Sequence, residues 1–322
     1  MHKKAKSHRF LRVFAAAGAA LVSTSIVLAD AQDAIAAASG SDCTAAQPFY
    51  WEIGQSSGSP LVSGQSGGTT YNRNTTVTLA SASKWVFGAY VVERYNGIPT
   101  GSSGATIVSS LKMLEGHTSF GPVKCAFTST VSACHTIGTN DNVDSSKVGY
   151  FNYGGGDGQY AAAGSSLLNL GSKTKSQLLS EVNSYLNLGS SFAYKNPGVS
   201  GGMEGNAADY ATFLQNLMDG TYVMSSHLGA SAVSTQCTQC NSPFGSADMH
   251  YSLHHWVEDN TGGQLPGGAS LSAGDGSFSS AGAKGFYPWI SSDKQYYGII
   301  STEGDSESSY ICGKAIREAY FN

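Results

Sequence analysis

Residues 79–85 read Leu-Ala-Ser-Ala-Ser-Lys-Trp and place Ser81 three positions before Lys84. An apolar run rich in Val, Phe and Tyr follows, and it ends at Asn96, shortly before Pro99. This pattern predicts a helix that begins near Ser81. Because residues three apart lie on one face of a helix, we expect the serine hydroxyl and the lysine amine to be in contact.

The Ser81–Lys84 pair has the chemistry of an activated nucleophile. A serine hydroxyl attacks a carbonyl only when a neighbouring base takes its proton, and a lysine desolvated among apolar side chains has a lowered pKa that suits this role. Free N–H groups at a helix N-terminus also favour developing negative charge. The sequence therefore predicts Ser81 as a nucleophile and Lys84 as its base. Since Ser-x-x-Lys also occurs by chance, the rest of the chain must support this reading.

Two Gly-x-Ser-x-Gly matches, centred on Ser56 and Ser66, offer alternative nucleophiles. A nucleophile elbow of this kind needs a buried strand before the serine and a helix after it. Neither match is followed by a helical pattern, so we expect both to be hairpin turns.

The first 38 residues have the pattern of a signal peptide. Five lysines and arginines precede an apolar stretch at 13–28, and small residues at 29–31 or 36–38 give two possible cleavage sites. An uncleaved membrane anchor is the alternative, although no later stretch is long and apolar enough to span a membrane. We therefore expect residues 39–322 to form a single domain that is secreted or periplasmic.

Composition limits the partners of the mature chain. Removal of the leader leaves 13 basic and 20 acidic residues, a net charge of about −7 compared with −4 for the whole chain. This balance argues against nucleic acid or an anionic membrane as a partner, since both need a basic face. We expect a small-molecule, peptide or polymer substrate and no cofactor, and the sequence leaves the oligomeric state open.

Six cysteines in an exported chain suggest three disulfides. Of the fifteen possible pairings, we favour Cys43–Cys312, Cys125–Cys134 and Cys237–Cys240. The last pair also precedes His250 and His254 in a spacing that approaches that of a zinc site. Only nine residues separate the cysteines from the histidines, and exported cysteines are usually oxidised, so we expect a disulfide and no metal.

The periodicity predicts strands at both ends of the mature chain and helices between them. We expect strands at 49–53, 61–62, 76–79, 251–257, 285–290 and 295–300, and helices at 81–96, 107–114, 158–170, 175–186, 206–218 and 308–319. Such an order predicts an α+β fold, an α/β sandwich. Its antiparallel sheet would be formed by the N- and C-terminal strands and flanked by helices, with a mainly helical region at about 100–245 inserted.

A Ser-x-x-Lys motif that opens a helix after two or three strands resembles the penicillin-recognising serine hydrolases. This superfamily includes serine β-lactamases, DD-peptidases, and related esterases and amide hydrolases, and the chain is most similar to its class C and esterase branch. The branch has a Phe-x-Tyr-x-Asn segment, which Phe151 and Tyr153 match, with Gly155 in place of the Asn. The resemblance implies that Tyr153 shares proton transfer with Lys84; Tyr150, in a Tyr-x-Asn one register earlier, is the alternative.

Residues 280–283, Ser-Ala-Gly-Ala, stand in the place of the family's third motif. The resemblance implies that Gly282 permits close approach of the substrate and that the Ala283 and Ser81 amides form an oxyanion hole. Ser280 replaces the family's basic residue, which helps to dock substrate carboxylates. A serine still donates a hydrogen bond, but the lost cation argues against β-lactam and carboxypeptidase activity.

We therefore expect an exported serine hydrolase that cleaves an ester or amide bond through a Ser81 acyl-enzyme. The alternative is a non-catalytic relative that binds peptidoglycan or another polymer in the same cleft, but a pure binder has no need of an activated serine. Trp256, Tyr287 and Trp289 are expected to form an apolar wall of the cleft. Asn206 is expected to cap the following helix.

Overall fold

The computed structural model describes residues 30–322 of the chain. Its strands are β1 (Phe49–Gln55), β2 (Val62–Ser66), β3 (Val77–Thr78), β4 (Ala193–Tyr194), β5 (Met203–Gly205), β6 (Val233–Ser234), β7 (His250–Ser252), β8 (His255–Glu258), β9 (Gly263–Gln264), β10 (Ser270–Leu271), β11 (Ser277–Ser279), β12 (Tyr287–Ile290) and β13 (Tyr296–Ser301). Its α-helices are α1 (residues 30–38), α2 (Ser83–Tyr95), α3 (Gly101–Leu111), α4 (Val131–Thr136), α5 (Gly156–Ala163), α6 (Lys175–Leu186), α7 (Ala207–Met218) and α8 (Ser306–Phe321). Short 3-10 helices cover Ser41–Ala46, Ala80–Ala82, Pro122–Phe127 and Val223–His227.

One antiparallel sheet of eight strands joins the two ends of the described chain. Its order is β2-β1-β13-β12-β11-β8-β7-β6, so the N-terminal strand β1 pairs directly with the C-terminal strand β13. Tyr50 lies opposite Ser301 in that pairing. Helices α2 to α7 lie between the two halves in sequence, which confirms the predicted α+β architecture.

The sheet separates two apolar layers because successive side chains of a strand point to opposite faces. Ile299 of β13 packs in the cluster that holds the apolar face of α2 and most of α7. Its neighbour Ile300 packs on the other side, with α8 and the short N-terminal helix α1. The α1 residues Ala34 and Ala38 are buried there. Helix α2, which follows the Ser81 turn, is thereby fixed between the sheet and α6 and α7.

Several elements match their predicted bounds closely. Helix α6 covers the predicted 175–186, and α7 begins after Asn206, whose side chain accepts a hydrogen bond from the Asp209 amide at 2.9 Å. The predicted helix at 158–170 was too long, because a turn at Gly164 ends α5 and the chain reverses through Asn169 in the left-handed region (φ +55°).

The predicted strand at 251–257 was wrong in one respect: it is a hairpin. Strands β7 and β8 are joined by a tight turn at Leu253 and His254, and His254 has φ +62°. In a single strand, the side chains of His254 and His255 would point to opposite faces of the sheet, so one of them could be exposed. In the hairpin, His254 and His255 are both fully buried.

All three predicted disulfides are confirmed: Cys43–Cys312, Cys125–Cys134 and Cys237–Cys240. Because Cys237 and Cys240 are bonded to each other, neither offers a thiolate to a metal. Of the two histidines in that spacing, His250 pairs with Asp259 and His254 is fully buried.

The predicted leader overlaps the described residues only at 30–38, and its basic and apolar parts lie outside them. No helix within residues 30–322 has the length and apolarity needed to cross a membrane.

Candidate active site

Ser81 lies in the 3-10 turn Ala80–Ala82, and α2 begins two residues after it at Ser83. The helix therefore starts slightly later than predicted, and Lys84 occupies its first turn. The preceding residue, Ala80, has φ +45°, a conformation that costs a residue with a side chain of order 1 kcal/mol. The strained turn presents the serine ahead of the helix.

Contacts from two distant segments hold the Ser81 turn in place. The hydroxyl of Tyr210, in α7, donates a hydrogen bond to the Ala82 carbonyl at 2.9 Å. The hydroxyl of Ser280 donates to the Ser81 carbonyl at 3.0 Å. Ser280 is only 1% exposed, so its hydroxyl braces the backbone of Ser81 and does not point into open space.

Lys84 contacts the proposed nucleophile directly. Its Nζ lies 3.0 Å from Ser81 Oγ and donates to the Ser200 carbonyl at 2.9 Å. The side chain is buried and makes no ion pair within residues 30–322. Burial without a compensating carboxylate lowers the pKa of Lys84 to about 7. Near neutral pH, a large share of the amine is therefore unprotonated and able to accept the Ser81 proton.

Of the two tyrosines that the sequence leaves open, only Tyr153 reaches the serine. Its ring centroid lies 4.8 Å from Lys84 Nζ. Burial raises the pKa of Tyr153 to about 12, and hydrogen bonding with Ser81 and Trp256 opposes that rise. The phenol is thus protonated at neutral pH and available as a donor. Tyr150 is 40% exposed and lines neither cavity at Ser81.

Residues 282 and 283 complete the surroundings of Ser81. The Ala283 amide makes no hydrogen bond within the described chain, and Ala283 lines the same cavities as Ser81. Gly282 permits a close approach within the fold itself, since a Cβ atom there would lie 2.3 Å from the carbonyl oxygen of Leu79. The missing side chain lets this loop approach the turn before Ser81.

Two cavities meet at Ser81, Tyr153 and Ala283. One, of about 150 Å³, is further lined by Pro243, Phe244, Trp256, Leu265, Ala281, Ser306 and Glu307. The other, of about 220 Å³, includes Lys84 together with Phe120, Pro122, Asn196 and backbone of the glycine-rich segments at 154–155 and 198–202. Ser81 thus has a cavity on each side, which suits a substrate whose two halves lie on either side of the bond to be cleaved.

The expected aromatic wall is only partly correct. Trp256 lines the smaller cavity, but Tyr287 and Trp289 do not. The Tyr287 hydroxyl donates to Glu258 at 2.8 Å inside the core. Trp289 packs on the same side of the sheet, with the Arg317 guanidinium 5.2 Å from its ring centroid. Both belong to the layer beneath α8.

The sequence pattern did not identify several residues that line the site. Phe244 and Glu307 line the smaller cavity, and Asn196 lines the larger one. The structure also explains the glycine in place of the family's Asn: a Cβ at Gly155 would lie 2.7 Å from the ring of Phe120. Of these features, only the departure at position 155 could be seen in the sequence, and no sequence pattern pointed to Phe244, Glu307 or Asn196.

A second buried polar group lies behind Lys84. His254 is fully buried, and neither of its ring nitrogens has a hydrogen-bond partner within residues 30–322. Burial holds its pKa well below the ordinary value, and the charge of Lys84 acts in the same direction. The imidazole is therefore neutral, and it adds no positive charge beside the lysine.

Searches on sequence found no match to a family model and none among curated proteins. Solved structures match along nearly the whole chain. EstCE1, a hydrolase with promiscuous acyltransferase activity, aligns with a TM-score of 0.59 at 14% identity over 94% of this chain and 100% of its own.

Two bacterial proteins align in the same way. A candidate β-lactamase from Bacteroides dorei aligns with a TM-score of 0.58 at 15% identity, covering 95% of this chain and 99% of its own. This chain has the β-lactamase fold. A D-stereospecific amidohydrolase from a Streptomyces species shares the fold with a TM-score of 0.52 at 13% identity, covering 90% of this chain and 98% of its own. The predicted resemblance to serine hydrolases of this fold is confirmed at the level of architecture.

Proposed function

We propose that this protein is an exported serine hydrolase that cleaves an ester or amide bond through an acyl-enzyme on Ser81. Ser81 Oγ forms a bond to the substrate carbonyl carbon as Lys84 takes its proton. Collapse of the tetrahedral intermediate breaks the bond to the leaving group, which receives the proton through Tyr153. Water then attacks the acyl-enzyme with the same groups acting in reverse, and the acid is released.

The 3.0 Å contact between Lys84 Nζ and Ser81 Oγ carries this proposal. A buried lysine without an anionic partner lowers the stability of the fold. Beside a nucleophile, the same burial lowers the pKa of the lysine and lets it act as a base. The oxyanion hole is assigned to the amides of Ser81 and Ala283. The first lies in the opening turn of a 3-10 helix, where amides lack a partner within the helix.

The reaction class is also supported by the names of proteins that share the fold. One is named an amidohydrolase and another a hydrolase with acyltransferase activity, and both activities transfer an acyl group. Export is supported by the three disulfides, because such bonds persist in oxidising compartments.

The proposal is tested with short-chain nitrophenyl esters and the purified protein. The wild-type protein is expected to release nitrophenol with an initial burst, and mass spectrometry is expected to find the acyl group on the peptide that contains Ser81. Ser81→Ala is expected to lose both signals. Ser56→Ala is the matched control, since Ser56 lies in a Gly-x-Ser-x-Gly match and lines neither cavity.

Equal turnover by wild-type protein and Ser81→Ala would refute the assignment of the nucleophile. A protein that hydrolyses neither esters nor nitroanilide amides, and that carries no acyl group after exposure to them, would contradict a hydrolase function altogether.

A further inference from the structure

The smaller cavity combines aromatic walls with a single carboxylate. Phe244 and Trp256 contact each other edge to face at 4.7 Å between ring centroids, and Tyr153 lies 5.2 Å from Trp256. Glu307, in the first turn of α8, is the one charged residue among residues 30–322 that lines this cavity. The cavity therefore presents aromatic side chains and one negative charge to whatever half of the substrate enters it.

A neighbouring loop holds the Glu307 carboxylate in position. The Gly267 amide donates a hydrogen bond to Glu307 Oε2 at 3.3 Å. A Cβ at Gly267 would lie 2.4 Å from Oε1, so the glycine permits this close approach. No lysine, arginine or histidine of residues 30–322 forms an ion pair with the carboxylate. Its charge is available to a ligand.

Nearby positive charge does not cancel this acidic character. Ser280, in the place of the family's basic residue, is uncharged and engaged with the Ser81 carbonyl. Lys84 lines only the larger cavity. Lys284 lies in an exposed turn and lines neither cavity. Among the lining residues that the structure describes, a substrate carboxylate placed here would meet the Glu307 carboxylate and no cation.

We propose that the smaller cavity binds an ammonium group, so that the preferred substrates are esters or amides with one cationic half. Aromatic faces attract a desolvated cation, and a carboxylate nearby adds a favourable charge interaction. The proposal rests on the hydrolase function and names its substrate class. It also assigns Glu307 as a specificity residue, which orients the substrate without taking part in bond breaking.

The test compares three esters that differ in one terminal group. One carries a trimethylammonium group, the second a tert-butyl group of the same size, and the third a carboxylate. Two series place the varied group in the acyl half or in the alcohol half. In one of the two series, the wild-type protein is expected to favour the cationic ester over its tert-butyl isostere by about tenfold in kcat/KM, or about 1.4 kcal/mol. The carboxylate ester is expected to be the poorest substrate.

Glu307→Gln keeps the shape of the side chain and removes its charge. We expect this change to lower the ratio of cationic to neutral kcat/KM by about fivefold. Glu318→Gln, on the same helix but outside the cavity, is expected to leave the ratio unchanged. Thermal unfolding of both variants checks that the loss of a carboxylate from the first turn of α8 has not altered the fold.

Equal rates for the cationic and neutral esters in both series would overturn the cation site and leave the hydrolase function intact. The same conclusion would follow if Glu307→Gln left the ratio of cationic to neutral kcat/KM unchanged. If no ester is hydrolysed in a Ser81-dependent way, the proposed function fails. The cation site is then tested by a binding measurement that does not depend on turnover. Calorimetric titration with phenyltrimethylammonium is then expected to give binding to the wild-type protein that Glu307→Gln weakens, and absence of binding would overturn the inference.

Discussion

Replacement of Lys84 by methionine is expected to remove turnover and, at the same time, to stabilise the protein. Burial lowers the pKa of Lys84 from 10.5 to about 7. At pH 7 the amine is protonated in the unfolded chain but only half protonated in the native state, a difference that costs about 4 kcal/mol of folding free energy. Methionine avoids this cost but loses two hydrogen bonds worth about 1 kcal/mol each. The expected net gain is about 2 kcal/mol.

The pH dependence has a defined sign. Between pH 7 and pH 10 the unfolded state binds more protons at residue 84 than the native state does, so the stability of the wild-type protein rises with pH. Below about pH 7 the amine is protonated in both states and this contribution is constant. The advantage of Lys84→Met is therefore expected to shrink by about 2 kcal/mol between pH 7 and pH 9.

Urea unfolding of the oxidised protein, followed by tryptophan fluorescence at pH 7 and pH 9, measures both effects. Lys175→Met serves as the control, because Lys175 is exposed on α6 and its amine stays in water when the chain folds. The reasoning fails if Lys84→Met is less stable than the wild-type protein at pH 7. It also fails if the difference between the two proteins is the same at both pH values.

Three further predictions concern the catalytic groups and the loop that packs beside them. Tyr153→Phe is expected to lower kcat by about a hundredfold or more by removing the proton relay, whereas Tyr150→Phe is expected to leave it unchanged; similar losses in both would contradict the assignment. Ser81-dependent turnover is expected to rise with pH through about 7, as Lys84 loses its proton, and a rate that is flat from pH 5.5 to pH 8.5 would exclude the lysine as base. Gly282→Ala is expected to destabilise the fold by about 2 kcal/mol or more, and an unchanged denaturation midpoint would show that the neighbouring carbonyl moves freely.

The sequence was sufficient for those features that depend on local pattern. Ser81 and Lys84 come together because their spacing of three residues matches the turn of a helix. The apolar periodicity of α6 and α7 gave their bounds, and Asn206 marked a helix start because a side-chain cap needs no distant partner.

Other features of the site depend on residues brought together from distant parts of the chain. Glu307 joins the cavity of Ser81 only because α8 begins shortly after β13 and lies beside the loop that contains Gly267. The role of Ser280 was also hidden, since its hydroxyl contacts a carbonyl 199 positions earlier in the chain. The hairpin at His254 was missed because residues 251–257 contain no Gly, Pro, Asn or Asp that would mark a turn.

The pairing of β1 with β13 has a consequence for the order in which the chain folds. The strand that contains Tyr50 has its partner at Ser301, so the main sheet stays incomplete until β13 has been synthesised. Contacts of such long sequence separation also make folding slow. The Cys43–Cys312 bond joins residues 269 positions apart, and its formation during refolding therefore reports the moment at which the two ends of the domain first meet.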